Sequence, residues 1–594
     1  MTLFVPDAER QGPELRPLRR LLIANRGEIA VRIIRACRDE GIESIAIHAD
    51  SDRNALFTRM ADESRALRGD GPAETYLNAP RILEIARDAR ADAIHPGYGF
   101  LSERPDFAAM VQEAGLIWIG PDPQVIEALG NKIEARRIAR SVGAPLVRGS
   151  PGPLASGAEA LDFARAHGLP IAIKAAHGGG GRGLRVAWRL EEVEELFDSA
   201  RREALAAFGR GECYVEQFLD RPRHVEAQIL ADRHGGVKVI GTRDCSLQRR
   251  NQKLVEEAPA PFLSDNQRDA IHRASRAICA QAGYSGAGTV EFLLAADGRL
   301  SFLEVNTRLQ VEHPVTEETT GIDLVRAMIQ IARGARLADE SLPEPRGHAI
   351  EFRINAEDPA RGFLPTPGVI SRFDPPAGPG VRLDSGVAAG SVVPGHFDSL
   401  MAKLIVTGAT RDEAIRRAAR ALSEFHIGGL ASVLPFHRTV LEAPDFLAPS
   451  GVFGVHTRWI ETDFSETLAR ALVPHSRVTA ADPAPLIRLG VEIDGKRHEL
   501  GLPPELLGAR APDRAETRPA GSQDPATVAA PVAGILTLWQ VEDGAEVEEG
   551  EAIAVIEAMK MESPVTAHRP GRITRIARTG ETIAFGAALA RIGA

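Results

Sequence analysis

From Arg20 onward, hydrophobic and polar positions fall into blocks of distinct period. The run RLLIANRGEIAVRIIRACRDEGIESIAIHAD reads as a buried strand, a tight loop, an amphipathic helix and a second apolar strand. This is a βαβ opening in the doubly wound α/β style. ANRGEIA lacks G-x-G-x-x-G, so no dinucleotide site is indicated. A second Gly-rich loop, HPGYGFLSE from His95 to Glu103, again follows an apolar stretch, and strands and helices alternate to about Ile460.

Within that region, AGTVEFLLAADGRLSFLEVNTRLQVEHPVTE predicts two apolar strands around Asp297-Gly298, a preferred two-residue hairpin turn. Pairing Ala296 with Arg299 sets a register that places Glu291 opposite Glu304. Two carboxylates facing across a hairpin repel, and a cation between them removes the conflict. Asn306 lies on the same face, which completes an all-oxygen set suited to Mg2+ shared with nucleotide phosphates. If the chain stays extended, Glu304, Asn306, Arg308, Gln310 and Glu312 form one polar row alternating with Val305, Leu309 and Val311. An arginine and a carboxylate beyond the metal ligands suit an anion and the removal of its proton.

The pattern changes between Ala509 and Ala530, where ARAPDRAETRPAGSQDPATVAA is rich in Pro, Ala and charge. Such a stretch predicts a linker of roughly 65 Å at full extension, long enough to let the C-terminal residues move. Beyond it, PVAGILTLWQVEDGAEV at Pro531 is echoed by PVTAHRPGRITRIARTGETI at Pro564. Two similar β halves predict a small two-fold sandwich. Lys560, in IEAMKMESP, falls at the hairpin tip between the halves, flanked by Met559 and Met561 out of seven methionines in the chain.

Composition narrows the function classes. The chain of 594 residues is too long for one core. Cys37, Cys213, Cys245 and Cys279 are scattered with no CxxC pairing, which argues against a disulfide framework or zinc site and for a reducing cytoplasm. No apolar run reaches the length of a membrane span, and a net charge of -10 argues against nucleic acid as the main partner. Phosphate binding is then a local matter. Only seven lysines (132, 174, 238, 253, 403, 496 and 560) occur among 71 basic residues, so retained lysines mark places where a compact ammonium or a nucleophilic nitrogen is needed. Lys174 ends an apolar strand and is followed by Gly178, Gly179, Gly180, Gly181, Arg182 and Gly183. Successive glycines let backbone N–H groups close on phosphate, and the spacing is not that of a P-loop.

AMKM within its repeat resembles the biotinyl domain of biotin-dependent carboxylases; lipoyl domains share the fold but differ around the lysine. The glycine run resembles that of the ATP-grasp fold. LLIANRGEIAVRI, HPGYGFLSE, KAAHGGGGRG, RPRHVEAQ, RDCSLQRRNQK, EVNTRLQVEHPVTE and EFRINAEDP occur in order from about Pro17 to Ile460, and this stretch resembles biotin carboxylase. The implied fold class is an α/β ATP-grasp biotin carboxylase, with pre-ATP-grasp, ATP-grasp lid and C-terminal subdomains, plus a small all-β biotinyl sandwich. The expected divisions are 17–130, 131–340 and 341–460 for those subdomains. A connecting or partner-docking region at 461–508, a linker at 509–527 and a biotinyl domain at 528–594 complete the chain.

The resemblance also implies roles. Lys132, Lys174 and the glycines contact ATP phosphates, Glu216 to Leu219 receive the adenine through backbone, and His224 and Gln248 line the nucleotide site. Glu291 and Glu304, with Asn306, bind Mg2+ or Mn2+. Lys253, Arg308, Gln310 and the Val311 amide hold bicarbonate, Glu312 is the general base, and Arg353 stabilises the biotin enolate. Bicarbonate attacks the γ-phosphate to give carboxyphosphate, and the CO2 it releases is captured by biotin on Lys560. Asn251 departs from the histidine of several relatives. The fused arrangement resembles the alpha subunit of actinobacterial-type acyl-CoA carboxylases, which implies a separate carboxyltransferase beta subunit, a biotin protein ligase and no nucleic-acid or membrane partner. A free-standing ATP-grasp ligase is opposed by Lys560 in AMKM, and a pyruvate carboxylase by the absence of room for a TIM barrel of about 250 residues. Acetyl-, propionyl- and longer acyl-CoA all remain open.

Overall fold

The computed structural model describes residues 3–5, 15–176, 183–339, 342, 344–472, 487–493, 496–502, 526–532, 534–558, 561–583 and 586–593. The chain divides into two compact units, Met1–Pro359 with Thr366–Leu468 and Ala360–Pro365 with Ala469–Ala594.

The first unit opens on a parallel sheet. Its strands are β1 (Arg20–Ile23), β2 (Glu43–His48), β3 (Glu63–Ala66), β4 (Ala93–His95) and β5 (Ile117–Trp118), in the order β3-β2-β1-β4-β5. Leu21, Leu22 and Ile23 of β1 are all buried, as consecutive apolar residues are when both faces of a sheet are covered. Helix α1 (Gly27–Asp39) repeats Ile29, Ile33, Ala36 and Cys37 at helical spacing and buries all four. A separate three-stranded sheet, β7-β6-β8, comprises β6 (Ile171–Ala175), β7 (Leu184–Ala187) and β8 (Cys213–Gln217). Ile171, Ile173 and Val215 pack there with Phe197.

The largest element is an eight-stranded antiparallel sheet. Its first six strands are β9 (Arg223–Ala231), β10 (Val237–Arg249), β11 (Gln252–Ala258), β12 (Gly286–Leu294), β13 (Leu300–Asn306) and β14 (His348–Asn355), and Val381–Ser385 and Leu400–Gly408 complete it. The order is β13-β12-β9-β10-β11-β14, then Leu400–Gly408, then Val381–Ser385, so one sheet takes strands from both sides of residue 340. Phe292 and Phe302, paired across β12 and β13, meet edge to face at 6.2 Å beneath it.

The expected two-residue turn at Asp297-Gly298 is one residue longer. Ala295 N donates to Arg299 O and Gly298 N donates to Ala295 O, each at 2.9 Å, so Ala296, Asp297 and Gly298 form the loop. Gly298 supplies the left-handed residue, φ 86°, that such loops need. Leu294 therefore faces Leu300, one residue out of the expected register. A bulge that leaves Leu303 as the extra residue restores it, and Glu291 lies opposite Glu304 after all. The extended row beyond Asn306 does not form. The strand ends there, and a helix begins at His313 with Pro314 in its first turn, where proline's fixed φ favours helix over further strand. Asn251 sits with Arg250 in the two-residue turn joining β10 to β11, at φ 63° and 48°, a conformation for which asparagine is well suited.

In the second unit, Ile487–Ile493 pairs antiparallel with Lys496–Leu502. The remainder is a sandwich of two four-stranded sheets. One runs Thr527–Ala529, Ala588–Gly593, Gly571–Arg575, Glu546–Val547, and the other Met561–Thr566, Ala552–Ala558, Gly534–Trp539, Thr582–Ile583. Exchanging the first four strands for the last four in chain order converts one sheet into the other, which is the two-fold pattern the repeat predicts. Leu536, Ile553, Ile556, Ile573, Leu589 and Ile592 fill the core between them.

Phe292→Ala is expected to destabilise the first unit by about 3–5 kcal/mol through loss of buried area and cavity formation. Urea unfolding followed by circular dichroism checks this, and an unchanged midpoint contradicts the packing described.

Candidate active site

Register alone assembles most of the site. Glu304, Glu291, Glu226 and Arg243 are direct cross-strand partners on β13, β12, β9 and β10. Further along the sheet, Glu256 of β11 faces Glu351 of β14, and Arg353 faces Lys403 of Leu400–Gly408. Opposed residues on neighbouring strands share a face, so these side chains form one charged row. Glu226, Arg243, Glu256, Glu312, Glu351 and Lys403 are completely buried.

Lys253 is the hub of the row. Its Nζ donates to Glu312 at 2.6 Å, to Glu226 at 2.7 Å and to Glu291 at 3.0 Å. Arg243 Nε also donates to Glu226 at 2.6 Å, and its other nitrogens reach Gln228, Thr289 and Thr316. Glu312 stands immediately before the helix His313–Thr320 and accepts from Arg353 Nη2 at 2.9 Å on its second oxygen. Arg353 Nε is held at 2.5 Å by Glu256. Burial by itself raises the Glu312 carboxyl, but Lys253, Arg353 and Arg243 hold it well below the usual carboxylate range. Glu291 is likewise pulled down against burial by Lys253 and His224. His224 is pushed down by burial, yet the contact from its Nε2 to Glu291 at 3.0 Å leaves it raised overall.

The residues expected from Asn306 to Glu312 converge although the chain there is curled. Asn306 Nδ2 donates to Glu291 at 2.8 Å, and Gln310 Nε2 reaches the same oxygen at 3.3 Å. Arg308 bridges Asn306 Oδ1 at 3.1 Å and Gln310 Oε1 at 3.0 Å, and its Nε lies 2.8 Å from Glu103 of the HPGYGFLSE loop. Leu309, fully buried, pins the curled segment to the core that contains β1 and α1. The Val311 carbonyl accepts from Lys403 at 2.8 Å.

The nucleotide-side residues are also placed. Lys132 opens the helix Lys132–Ser141 and points its Nζ to Glu304 at 3.4 Å. Lys174 of β6 and Arg136 both pair with Glu216, which they draw down against the effect of burial. Leu219 is buried, and Gln248 Nε2 lies 3.3 Å from His224 Nδ1. Gly183, at φ 72°, accepts from Ala175 N across the β6–β7 ladder. Gly178, Gly179, Gly180 and Gly181 lie outside the described residues, as does Lys560. Its neighbouring strands end at Ala558 and resume at Met561, which face one another.

Sequence reasoning did not single out Glu226, Arg243, Glu256, Glu103, Glu351 or Lys403. Glu226 stands two residues after His224 inside RPRHVEAQ, a spacing that puts both on one strand face. Lys403 carried the rarity of lysine as its signal, and four of the seven lysines, Lys132, Lys174, Lys253 and Lys403, do have charged partners in or beside this site.

Comparison with known proteins agrees with this fold. Residues 17–126 match the biotin carboxylase N-terminal domain, 131–340 the carbamoyl-phosphate synthase L chain ATP-binding domain, 351–462 the biotin carboxylase C-terminal domain and 526–592 the biotin-requiring enzyme domain. The biotin-dependent acyl-coenzyme A carboxylase alpha3 subunit of Mycobacterium leprae is 54% identical over 588 residues, covering 96% of this chain and 98% of that protein. Biotin carboxylase of Campylobacter jejuni, solved as a β,γ-ATP complex, superposes with a TM-score of 0.72 at 40% identity, covering 75% of this chain and 99% of that one. The biotin carboxylase domain of Hydrogenobacter thermophilus 2-oxoglutarate carboxylase, solved with MgADP, ADP and bicarbonate, gives 0.72 at 41% identity, covering 77% and 99%. Fold and site thus define a biotin carboxylase of the ATP-grasp type joined to a biotinyl domain. The chain belongs to the family of biotin-dependent acyl-CoA carboxylase alpha subunits, in which ATP-dependent carboxylation of biotin supplies a carboxyltransferase partner. Among the described residues no helix is long and apolar enough to cross a membrane.

Lys253→Met removes a cation shared by three buried carboxylates and is expected to cost about 3–5 kcal/mol at neutral pH. Because Glu291 and Glu312 are held low, their ionic contacts stabilise above the unfolded carboxyl value of 4.5 and fade as pH falls through the lower folded values. With Lys253 gone, the same buried carboxyls rise and take up protons as pH falls from 8, so the melting-temperature deficit of Lys253→Met should be largest near pH 8 and shrink toward pH 5. A deficit independent of pH contradicts the ionic account.

Proposed function

We propose that Glu312 is the base that deprotonates bicarbonate, and that Lys253, Arg308, Gln310 and the Val311 amide hold that anion beside it. The observation that carries this reading is the Glu312 carboxylate clamped between Lys253 and Arg353, with the Arg308–Gln310 pair alongside. A carboxylate so clamped is a weak base. An incoming anion held by Arg308 competes for Lys253, and weakening of the Lys253 contact restores basicity to Glu312 where the proton must go. Substrate binding thus switches the base on.

Glu291 and Glu304, with Asn306, fit a Mg2+ or Mn2+ ion, since they offer oxygen donors on paired strands and their mutual repulsion calls for a cation. Such an ion, when bound, neutralises phosphate charge during γ-phosphoryl transfer. Lys132, Lys174, Gly178 to Gly181 and Gly183 serve the phosphates, Glu216 and Leu219 the adenine through their backbone, and His224 and Gln248 line the nucleotide site. Arg353 directs a guanidinium at the ureido oxygen of biotin. Biotin is carried on Lys560 after modification by a biotin protein ligase. The acyl-CoA, acetyl-, propionyl- or longer, binds a separate carboxyltransferase beta subunit in a hetero-oligomer. The hairpin Ile487–Ile493 and Lys496–Leu502 docks that subunit. The protein works in the cytoplasm, with no nucleic-acid or membrane partner.

Glu312→Gln and Arg353→Ala are each expected to cut biotin- and bicarbonate-dependent ATP hydrolysis by about two or more orders of magnitude while leaving the fold intact. Turnover near wild type removes that residue from the mechanism. Intact mass after co-expression with a biotin ligase should show one biotin on the wild type and none on Lys560→Arg. With radiolabelled bicarbonate, the purified chain alone should fix no acid-stable label into acetyl- or propionyl-CoA until the partner is added. Stable label fixed by the homogeneous chain alone contradicts the division of labour.

A further inference from the structure

Behind Arg353 lies a pair of acids that the reaction described so far does not use. Glu256 and Glu351 face one another across β11 and β14, and both are completely buried. One oxygen of Glu256 takes Arg353 Nε at 2.5 Å; the other oxygen, and both oxygens of Glu351, have no hydrogen-bond partner among the described residues. The groups facing the pair are Arg353 on β14, Lys253 on β11, Cys245 on β10, Glu312 ahead of the helix His313–Thr320, and Lys403 on Leu400–Gly408. Lys253 is committed to Glu226, Glu291 and Glu312, and Lys403 to the Val311 carbonyl and to Glu28 at 3.2 Å. His313, beside Lys403, is kept neutral by burial. One guanidinium contact therefore serves two adjacent buried carboxyls, and two such carboxyls cannot both stay ionised.

We propose that Glu256 and Glu351 form a buried acid pair that keeps one proton between them and thereby positions Arg353. The inference rests on the reading of Arg353 given above. With Glu351 neutral, the guanidinium is shared between Glu256 behind it and Glu312 in front, which leaves it aimed into the site. Loss of the pair's proton adds a negative charge behind Arg353 and draws it back from Glu312 and from biotin. Burial pushes Glu351 well above its ordinary value against the pull of Lys403, with Glu256 adding to the rise. Glu256 is pushed by burial up to about 7 despite Arg353. The pair thus releases its proton on the alkaline side, so Glu256 and Glu351 are positioning residues with an alkaline limit.

The test measures kcat and KM for free biotin from pH 6.5 to 9.5 in the full chain and in Glu351→Gln, Glu256→Gln and Arg353→Ala, with melting curves on each. Glu351→Gln fixes the neutral form, so its ratio of kcat at pH 9 to that at pH 7 should exceed the wild-type ratio at least about threefold. Glu256→Gln should raise KM for biotin about tenfold while KM for ATP stays put. A carboxyl raised in the folded state destabilises as pH climbs from the unfolded value of 4.5 toward the folded one, so the melting-temperature gain of Glu351→Gln should grow from pH 5 to pH 8. Should Glu351→Gln misfold, Glu351→Met provides the same readouts, because the replaced oxygens have no hydrogen-bond partner among the described residues. A Glu351→Gln pH profile superimposable on wild type, or a pH-independent melting difference, overturns the proposal while an inactive Arg353→Ala leaves the role of Arg353 standing. Full turnover by Arg353→Ala overturns both.

Discussion

Three glutamates side by side across adjacent strands of a buried sheet impose the constraint on which this site depends. Glu304, Glu291 and Glu226 are successive cross-strand partners, and the last two are almost wholly removed from water. Carboxylates about 5 Å apart repel by about 3 kcal/mol per adjacent pair at an effective dielectric of 20. Arg243, Lys253 and His224 offset that repulsion on the inner side. Glu304, partly exposed at the rim and paired among the described residues with Lys132 at 3.4 Å, is the acid left to share a divalent cation. The fold thus keeps a surplus of negative charge at one end of the row, where a metal ion is most useful.

The same logic extends along the sheet. Each acid has a cation on one side and a further acid beyond it, from Glu291 through Lys253, Glu312 and Arg353 to Glu256. Such a chain has few independent members, because removing one charge leaves its neighbours buried without partners. Substrate anions enter this network by competing for cations that are already placed. Preorganised charge of this kind stabilises developing charge with little rearrangement.

The N-terminal part of the first unit contributes from outside the sheet. Glu103 holds Arg308, and Glu28 of α1 holds Lys403, which in turn fixes the Val311 carbonyl next to Glu312. The curled segment from Thr307 to Glu312 is thereby gripped from two directions. Its side chains stay together although the backbone leaves the strand. The biotinyl sandwich needs none of these contacts, since its two interlocked sheets close their own core.

The amino-acid sequence by itself determined the class of each module, because hydrophobic period, glycine runs and the repeat around Lys560 are local properties. It also determined that Glu291 faces Glu304, although the longer turn at Asp297 and the bulge at Leu303 were legible in neither period nor composition and happened to cancel. Only the tertiary structure decided that Glu226, Arg243, Glu256 and Lys403 stand beside Glu312, since strand order and register bring together residues far apart in the chain. It also decided that the polar row past Asn306 curls. Pro314 was visible as a helix start, but the convergence of Arg308 and Gln310 on Asn306 and Glu291 depends on contacts with Glu103 and the buried Leu309, which no local pattern encodes.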